Sequence, residues 1–363
     1  MPDHTAFPPP PAPADAQPLH QLTAGQAELQ EKVQAHFEKD GYKIPGVQDG
    51  ALTDDEKFWL TYECTLRYLR GTKWNLKNAI DRIEGSLKWR REFGIYTLSA
   101  ADVEPEAVTG KEVTFGYDKK RRPAVYLIPS RQNTEESPRQ IQYTVWMLER
   151  AIELTGQGVE SVLLMINFAA RGKSPSMSTS KTVLNILQSH YPERLGAALI
   201  LNVPFILNAF FKLISPLIDP VTREKMKFNP KAVEDGIFDA DNLFQDSGWG
   251  GAREFVWDHD KYWPAFVQMC AEIREKQYEQ WRKLGARIGT KEWDIKASHD
   301  VPASSVGSSA ATAEPQDAQA VAAKQKDVPE VDAPSPATHE VVGDPSSSEV
   351  SPPIEKIASA ATT

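Results

Sequence analysis

Residues 191–228 read YPERLGAALILNVPFILNAFFKLISPLIDPVTREKMKF, and this stretch decides the fold. It opens on a polar motif, Tyr191-Pro192-Glu193-Arg194. Ala198 to Val203 follows as an apolar run without alternation, the pattern of a strand covered on both faces. Leu207, Phe210, Phe211, Ile214, Leu217 and Ile218 then recur at helical intervals and form one stripe. Asn208, Lys212, Ser215 and Asp219 fall on the opposite side, and Pro216 removes a backbone donor from the last turn. The stretch closes on a second polar motif, Asp219-Pro220-Val221-Thr222-Arg223-Glu224-Lys225.

The plain account of such a helix is packing on its own sheet. A membrane span fails, because Pro204, Asn208, Lys212 and Pro216 interrupt the run and leave no continuous ~20 apolar residues. Upstream, Glu112 to Tyr117 and Pro123 to Ile128 read as strands joined by a basic turn, residues 118–122. Ser137-Pro138 starts a helix whose core stripe is Ile141, Val145, Leu148 and Ile152. Val162 to Ile166 is a further apolar strand, and a helix runs from about Lys181 to His190. This alternation predicts an α/β fold with a mostly parallel sheet.

An α-helical unit precedes it. Thr53-Asp54-Asp55-Glu56 is a capping box, and the helix after it places Trp59, Tyr62, Leu66 and Leu69 on one face up to Gly71. Asn75 caps the next helix, which aligns Leu76, Ile80, Ile83 and Leu87 and stops at Gly94. Its basic end, Lys88-Trp89-Arg90-Arg91, is expected on a solvated face. The expected organisation is a disordered Pro/Ala-rich N-terminus (1–21), a helical unit (22–98), a sheet domain (99–266), a C-terminal helix (267–296) and a disordered tail (297–363).

Composition narrows the function. The net charge of -9 argues against a nucleic-acid partner. Only two cysteines occur, Cys64 and Cys270, so neither a disulfide framework nor a zinc site is indicated, which fits a reducing compartment. The start lacks a secretory pattern, residue 2 is Pro, and the chain ends Ala-Ala-Thr-Thr. Membrane contact is therefore expected to be peripheral and the location cytoplasmic.

No nucleophile, base and orienting group assemble, and the seven histidines show no metal-ligand spacing. Gly172-Lys173-Ser174 fails as a phosphate loop because Asn167 stands where its first glycine belongs. Neither an enzyme nor a cofactor is expected. What remains is a binding constellation. The Glu193 carboxylate can accept from sugar-type hydroxyls, and Lys225 is a compact charge suited to a phosphate. Read alone, Glu193 beside Arg194 is a structural ion pair and Lys225 a surface charge.

Several motifs together resemble the CRAL-TRIO lipid-binding family of yeast-type phosphatidylinositol transfer proteins. They are Leu66-Arg67-Tyr68-Leu69-Arg70 with Lys73, Trp89-Arg90 to Phe93-Gly94, Arg122-Pro123, Tyr191 to Gly196, and Asp219 to Thr222 with Lys225. Arg131-Gln132-Asn133-Thr134, Arg139-Gln140 and Met147 to Arg150 are similar to the fungal pleiotropic-drug-resistance branch. The resemblance implies a mostly parallel sheet with helices around a lipid cavity, and a gate helix near Phe205 to Ile218. It implies that Glu193 and Lys225 hold an inositol-phosphate head, with Thr222, Asp219 and Lys73 beside them. Thr72 stands where a second basic residue is common in the family.

Val162 and Leu164 stand where phosphatidylcholine carriers have hydroxyl residues, so the second ligand is expected to be more apolar, in this branch a sterol. The implied partners are membrane lipids, with a lipid kinase as downstream client. The implied location is cytoplasmic, peripheral on membranes or lipid droplets. Two other readings stay open at this point, a lipid hydrolase on an α/β scaffold and a protein-interaction module with a vestigial cavity.

Overall fold

The computed structural model describes residues 2–170, 172, 176–203, 220–245 and 248–297. The apolar stripe from Leu207 to Ile218, Asp219, Lys173 and the tail beyond 297 lie outside the described residues.

Among the described residues, the sheet contains β1 (Glu112–Tyr117), β2 (Pro123–Leu127), β3 (Val162–Asn167), β4 (Leu195–Leu201) and β5 (Met226–Phe228), in spatial order β1-β2-β3-β4-β5. β1 and β2 form an antiparallel hairpin, and every later pairing is parallel. The expected mostly parallel sheet is present. β5 carries no long apolar run and was not expected. It is specified by pairing, since Ala198, Leu199 and Ile200 stand against Met226, Lys227 and Phe228.

Register divides the side chains between two faces. Ala124, Tyr126, Leu163, Met165, Ala197 and Leu199 point into the main core. Val125, Leu127, Leu164, Ile166, Ala198 and Ile200 point the other way. Helix α6 (Pro138–Glu153) covers part of this second face, where Leu148, Ala151 and Ile152 pack on Val125 and Val162. The outer edge of β1 is closed by tyrosine hydroxyls. Tyr143 donates to the Glu112 carbonyl, and the Tyr262 hydroxyl bonds both backbone groups of Thr114. An edge so occupied cannot recruit another strand.

The helical unit comprises α1 (Ala24–Phe37), α2 (Asp54–Trp59), α3 (Tyr62–Gly71) and α4 (Leu76–Phe93). The single helix expected after Thr53 is two. The backbone leaves the helical region at Leu60, and the Thr61 hydroxyl caps α3 by accepting from the Cys64 N–H. Helix α5 (Ala100–Ala107) escaped the pattern because it has few apolar residues and contains Pro105, yet Ser99 and Asp102 form a full capping box. Helix α7 (Met177–His190) begins earlier than expected, capped by Ser176. Short α8 (Pro220–Glu224) precedes β5, and α9 (His259–Lys283) and α10 (Glu292–Lys296) end the described chain.

The N-terminal stretch corrects the expectation of disorder over 1–21. Asp3 bridges Phe255, the Phe7 ring packs at 4.6 Å from that of Phe115, and Tyr117 donates to the Phe7 carbonyl. Composition undercounted this strap because one phenylalanine and a few backbone hydrogen bonds anchor it.

Candidate functional site

Helix α7 ends at His190 with Tyr191 as its C-cap, and the chain turns through Pro192 to Arg194 before entering β4. Glu193 sits at the corner with φ 58°, a left-handed conformation uncommon outside glycine. The end of α3 lies against this corner, where an added Cβ on Gly71 would meet the Pro192 ring at 3.3 Å. Lys73 follows two residues later, exposed and also left-handed at φ 54°.

The polar residues of the corner clamp the helical unit to the sheet. Arg70 donates to Glu193 at 2.5 Å and to Glu160 at 3.1 Å. Arg67 bridges Glu160 and Glu292, and Arg194 donates to the Glu160 carbonyl. Tyr191 donates to Glu149, which also takes both guanidinium arms of Arg90. Burial alone would raise these carboxyls. Arg90 and Tyr191 outweigh it at Glu149, and His20, Arg67 and Arg70 at Glu160, so each is held down at about 2. Arg90 is therefore buried against Glu149, and Arg91 grips Glu56, which corrects the expectation of a solvated basic end on α4. Glu193 pairs with Arg70, not with its neighbour Arg194.

His190 stacks on Trp89 at 4.2 Å and shares a hydrogen bond with Ser86. Burial, with Arg82 and Arg90 nearby, lowers its pKa to about 4, so it is a neutral packing residue.

Lys225 reaches the first residue of β4. Its ammonium donates to the Leu195 carbonyl at 2.7 Å, two residues after Glu193, and its backbone N–H bonds the Thr222 carbonyl. Glu193 thus stands just before β4 and Lys225 bonds its first carbonyl, Thr222 is joined to Lys225 through its backbone, Lys73 lies two residues past the Gly71–Pro192 contact, and Asp219 lies outside the described residues. Sequence reasoning missed Arg70, Glu160 and Glu292. The available signal was Arg67 and Arg70, two cations three residues apart among Leu66, Tyr68 and Leu69.

Next to this polar corner the second sheet face stays partly open. Leu127, Leu164, Ile166 and Met226 are half-buried and Phe228 is 48% exposed. Leu164 belongs to this open part, whereas Val162 is buried under α6. Two cavities at the junction of the helical unit and the sheet, of about 90 and 80 Å³, are too small for a diacyl lipid. Among the described residues no His/Cys/Asp/Glu group could hold a metal, and no helix is long and apolar enough to cross a membrane.

The CRAL/TRIO domain matches residues 107–243, and its N-terminal domain matches residues 29–85. The phosphatidylinositol transfer protein PDR17 of Saccharomyces cerevisiae is 36% identical over 306 residues, covering 78% of this chain and 86% of that protein. This chain belongs to the CRAL-TRIO family. A CRAL-TRIO domain-containing protein of Schizosaccharomyces pombe is 46% identical over 285 residues. That match covers 77% of this chain but 28% of the relative, so the chain spans little more than a quarter of it. The crystal structure of Sfh5 aligns with a TM-score of 0.48 at 16% identity, over 71% of this chain and 99% of that one. The five strands lie within the residues that the CRAL/TRIO domain matches, and α1 to α4 overlap those that its N-terminal domain matches.

Proposed function

We propose that the chain binds phosphatidylinositol and transfers it between membranes. Glu193 would accept from the inositol hydroxyls and Lys225 would meet the phosphate, with Thr222, Asp219 and Lys73 around them. The observation that carries the reading is the Lys225 ammonium on the Leu195 carbonyl, two residues along the chain from the Arg70-held Glu193, beside an apolar sheet face that stays partly open. A name borne by one relative, phosphatidylinositol transfer protein, supports the same ligand.

The physical need is large. A diacyl lipid exposes roughly 30 methylenes, so at ~0.8 kcal/mol each its tails resist water by ~20 kcal/mol or more. Leu127, Leu164, Ile166 and Met226 would floor the tails. The stripe Leu207, Phe210, Phe211, Ile214, Leu217 and Ile218 would close over them and swing out at a bilayer. Neither Val162 nor Leu164 offers a hydroxyl to a choline-lipid phosphate, so the second ligand in this reading is apolar, a sterol. The chain would act in the cytoplasm, touching membranes or lipid droplets transiently and presenting lipid to a kinase. In domain terms, 22–98 is the helical unit, 99–266 the lipid-binding domain and 267–296 a C-terminal segment made of the rest of α9 and of α10.

The test is lipid extraction from the purified protein with mass spectrometry, followed by exchange assays with labelled phosphatidylinositol, phosphatidylcholine and sterol. Glu193→Ala or Lys225→Ala should abolish phosphatidylinositol exchange and spare the apolar ligand. Phe210→Asp with Phe211→Asp should slow exchange of both lipids in a folded protein. Robust phosphatidylcholine exchange would refute the apolar second ligand.

A further inference from the structure

The partly open sheet face is apolar except near one edge. Pairing of Glu112 with Leu127 puts both side chains on the face that carries Leu164 and Ile166. Glu112 is 8% exposed there. One carboxyl oxygen accepts from the Thr144 hydroxyl of α6 at 2.6 Å, and the other has no hydrogen-bond donor among the described residues. The neighbouring cation does not neutralise it, because the Lys111 ammonium turns to Glu106 and Thr134. Two residues along the same face, the buried Thr114 hydroxyl also lacks a partner among the described residues.

Burial raises the Glu112 carboxyl to about 7, Thr144 and Lys111 offset only part of it, and Glu106 adds to it. A protonated carboxyl can both donate and accept. A carboxyl oxygen without a donor at the edge of an apolar floor leaves one hydrogen bond to be completed by a ligand, and an apolar alcohol has one to give. A hydroxyl carried into such a site without a partner would lose its water and gain nothing.

We infer that Glu112, held by Thr144, receives the hydroxyl of a sterol-sized apolar alcohol lying on the Leu127, Leu164 and Ile166 face. This rests on the reading above that the face floors a lipid cavity. Leu127 ends β2, whereas Glu193 precedes β4, and the two strands run parallel through β3. The alcohol and the inositol head are therefore held at opposite ends of the sheet, and binding of the two lipids can be separated by mutation.

The test measures uptake of cholesterol and of cholestane, which lacks the hydroxyl, together with phosphatidylinositol. Wild type should prefer cholesterol. Glu112→Leu should cut that preference about tenfold while leaving cholestane and phosphatidylinositol uptake unchanged. Where Glu112→Leu also loses phosphatidylinositol through misfolding, Thr144→Val carries the test with the same expected direction. An unchanged preference in a folded variant, or no preference in wild type, overturns the assignment alone. Uptake of neither sterol by wild type overturns it together with the apolar second ligand, and leaves the Glu193 site standing if phosphatidylinositol still binds.

Discussion

The Glu193 carboxylate is held by the Arg70 guanidinium at 2.5 Å, across 123 positions of the chain. One residue of the lipid-domain corner is thus aimed by a helix of the N-terminal unit. Arg70 keeps its other arm on Glu160, and one of its nitrogens is buried without a hydrogen-bond partner among the described residues.

Arg70 should therefore be needed for head-group recognition although it was not read as a site residue. Arg70→Ala is expected to lower phosphatidylinositol affinity about tenfold, the low end for a charged hydrogen bond that is partly exposed. Uptake of the apolar ligand should not change. Equilibrium binding of both labelled lipids checks this, and equal loss of the two would reduce Arg70 to a structural clamp.

The Arg90–Glu149 pair joins α4 to α6 through two parallel hydrogen bonds in a buried setting. Removing one partner leaves a charge without compensation, so Arg90→Met should cost about 3–5 kcal/mol of stability. Adding Glu149→Leu should recover part of that loss. Urea unfolding of the two single variants and the double variant measures the coupling.

Stability should depend on pH in two windows of opposite slope. Glu149 and Glu160 are held at about 2 in the folded chain against an ordinary 4.5, so the native state binds fewer protons. Their stabilisation is complete above 4.5 and is lost as pH falls towards 2. Glu112 and Glu63 are both raised to about 7 by burial, so there the native state binds more protons and stability falls as pH rises from 4.5 to 7. The Glu112 share of that loss is on the order of 3 kcal/mol, and Glu112→Gln should remove that share and leave the part due to Glu63. Thermal melting of wild type and variant across pH 2 to 8 tests both windows.

The N-terminal strap should contribute measurably to stability. Phe7 packs on Phe115 and lies under the Arg253 guanidinium at 5.2 Å. Phe7→Ala is expected to cost ~1–2 kcal/mol, below the value for a fully buried ring because Phe7 remains partly exposed. A melting temperature equal to that of wild type would show that the strap is not anchored by this ring.

Periodicity and capping were legible in the chain itself. The unalternating apolar runs of β3 and β4 read as inner strands and Thr53 and Asn75 marked helix starts, but of the expected α6 stripe only Val145 is buried, Ile141, Leu148 and Ile152 being half-buried while Tyr143, Trp146 and Met147 enter the main core. These are local signals, set by the repeat of a strand or helix and by the needs of its unpaired end groups. Glu193 and Lys225 were singled out by their residue types within a known pattern, and their actual partners were not. Arg70, Glu160 and Arg90 acquire meaning only when segments far apart in sequence meet, since a charge looks solvated until its burial is known. The same holds for Glu112, whose neighbours in sequence give no hint that Leu127 and Thr144 enclose it. Sequence set which segments are helix or strand, because those preferences act over a few residues. Tertiary structure alone decided which charges are clamps and which carboxyl stands on the apolar floor, because burial and partner choice are properties of the assembled faces.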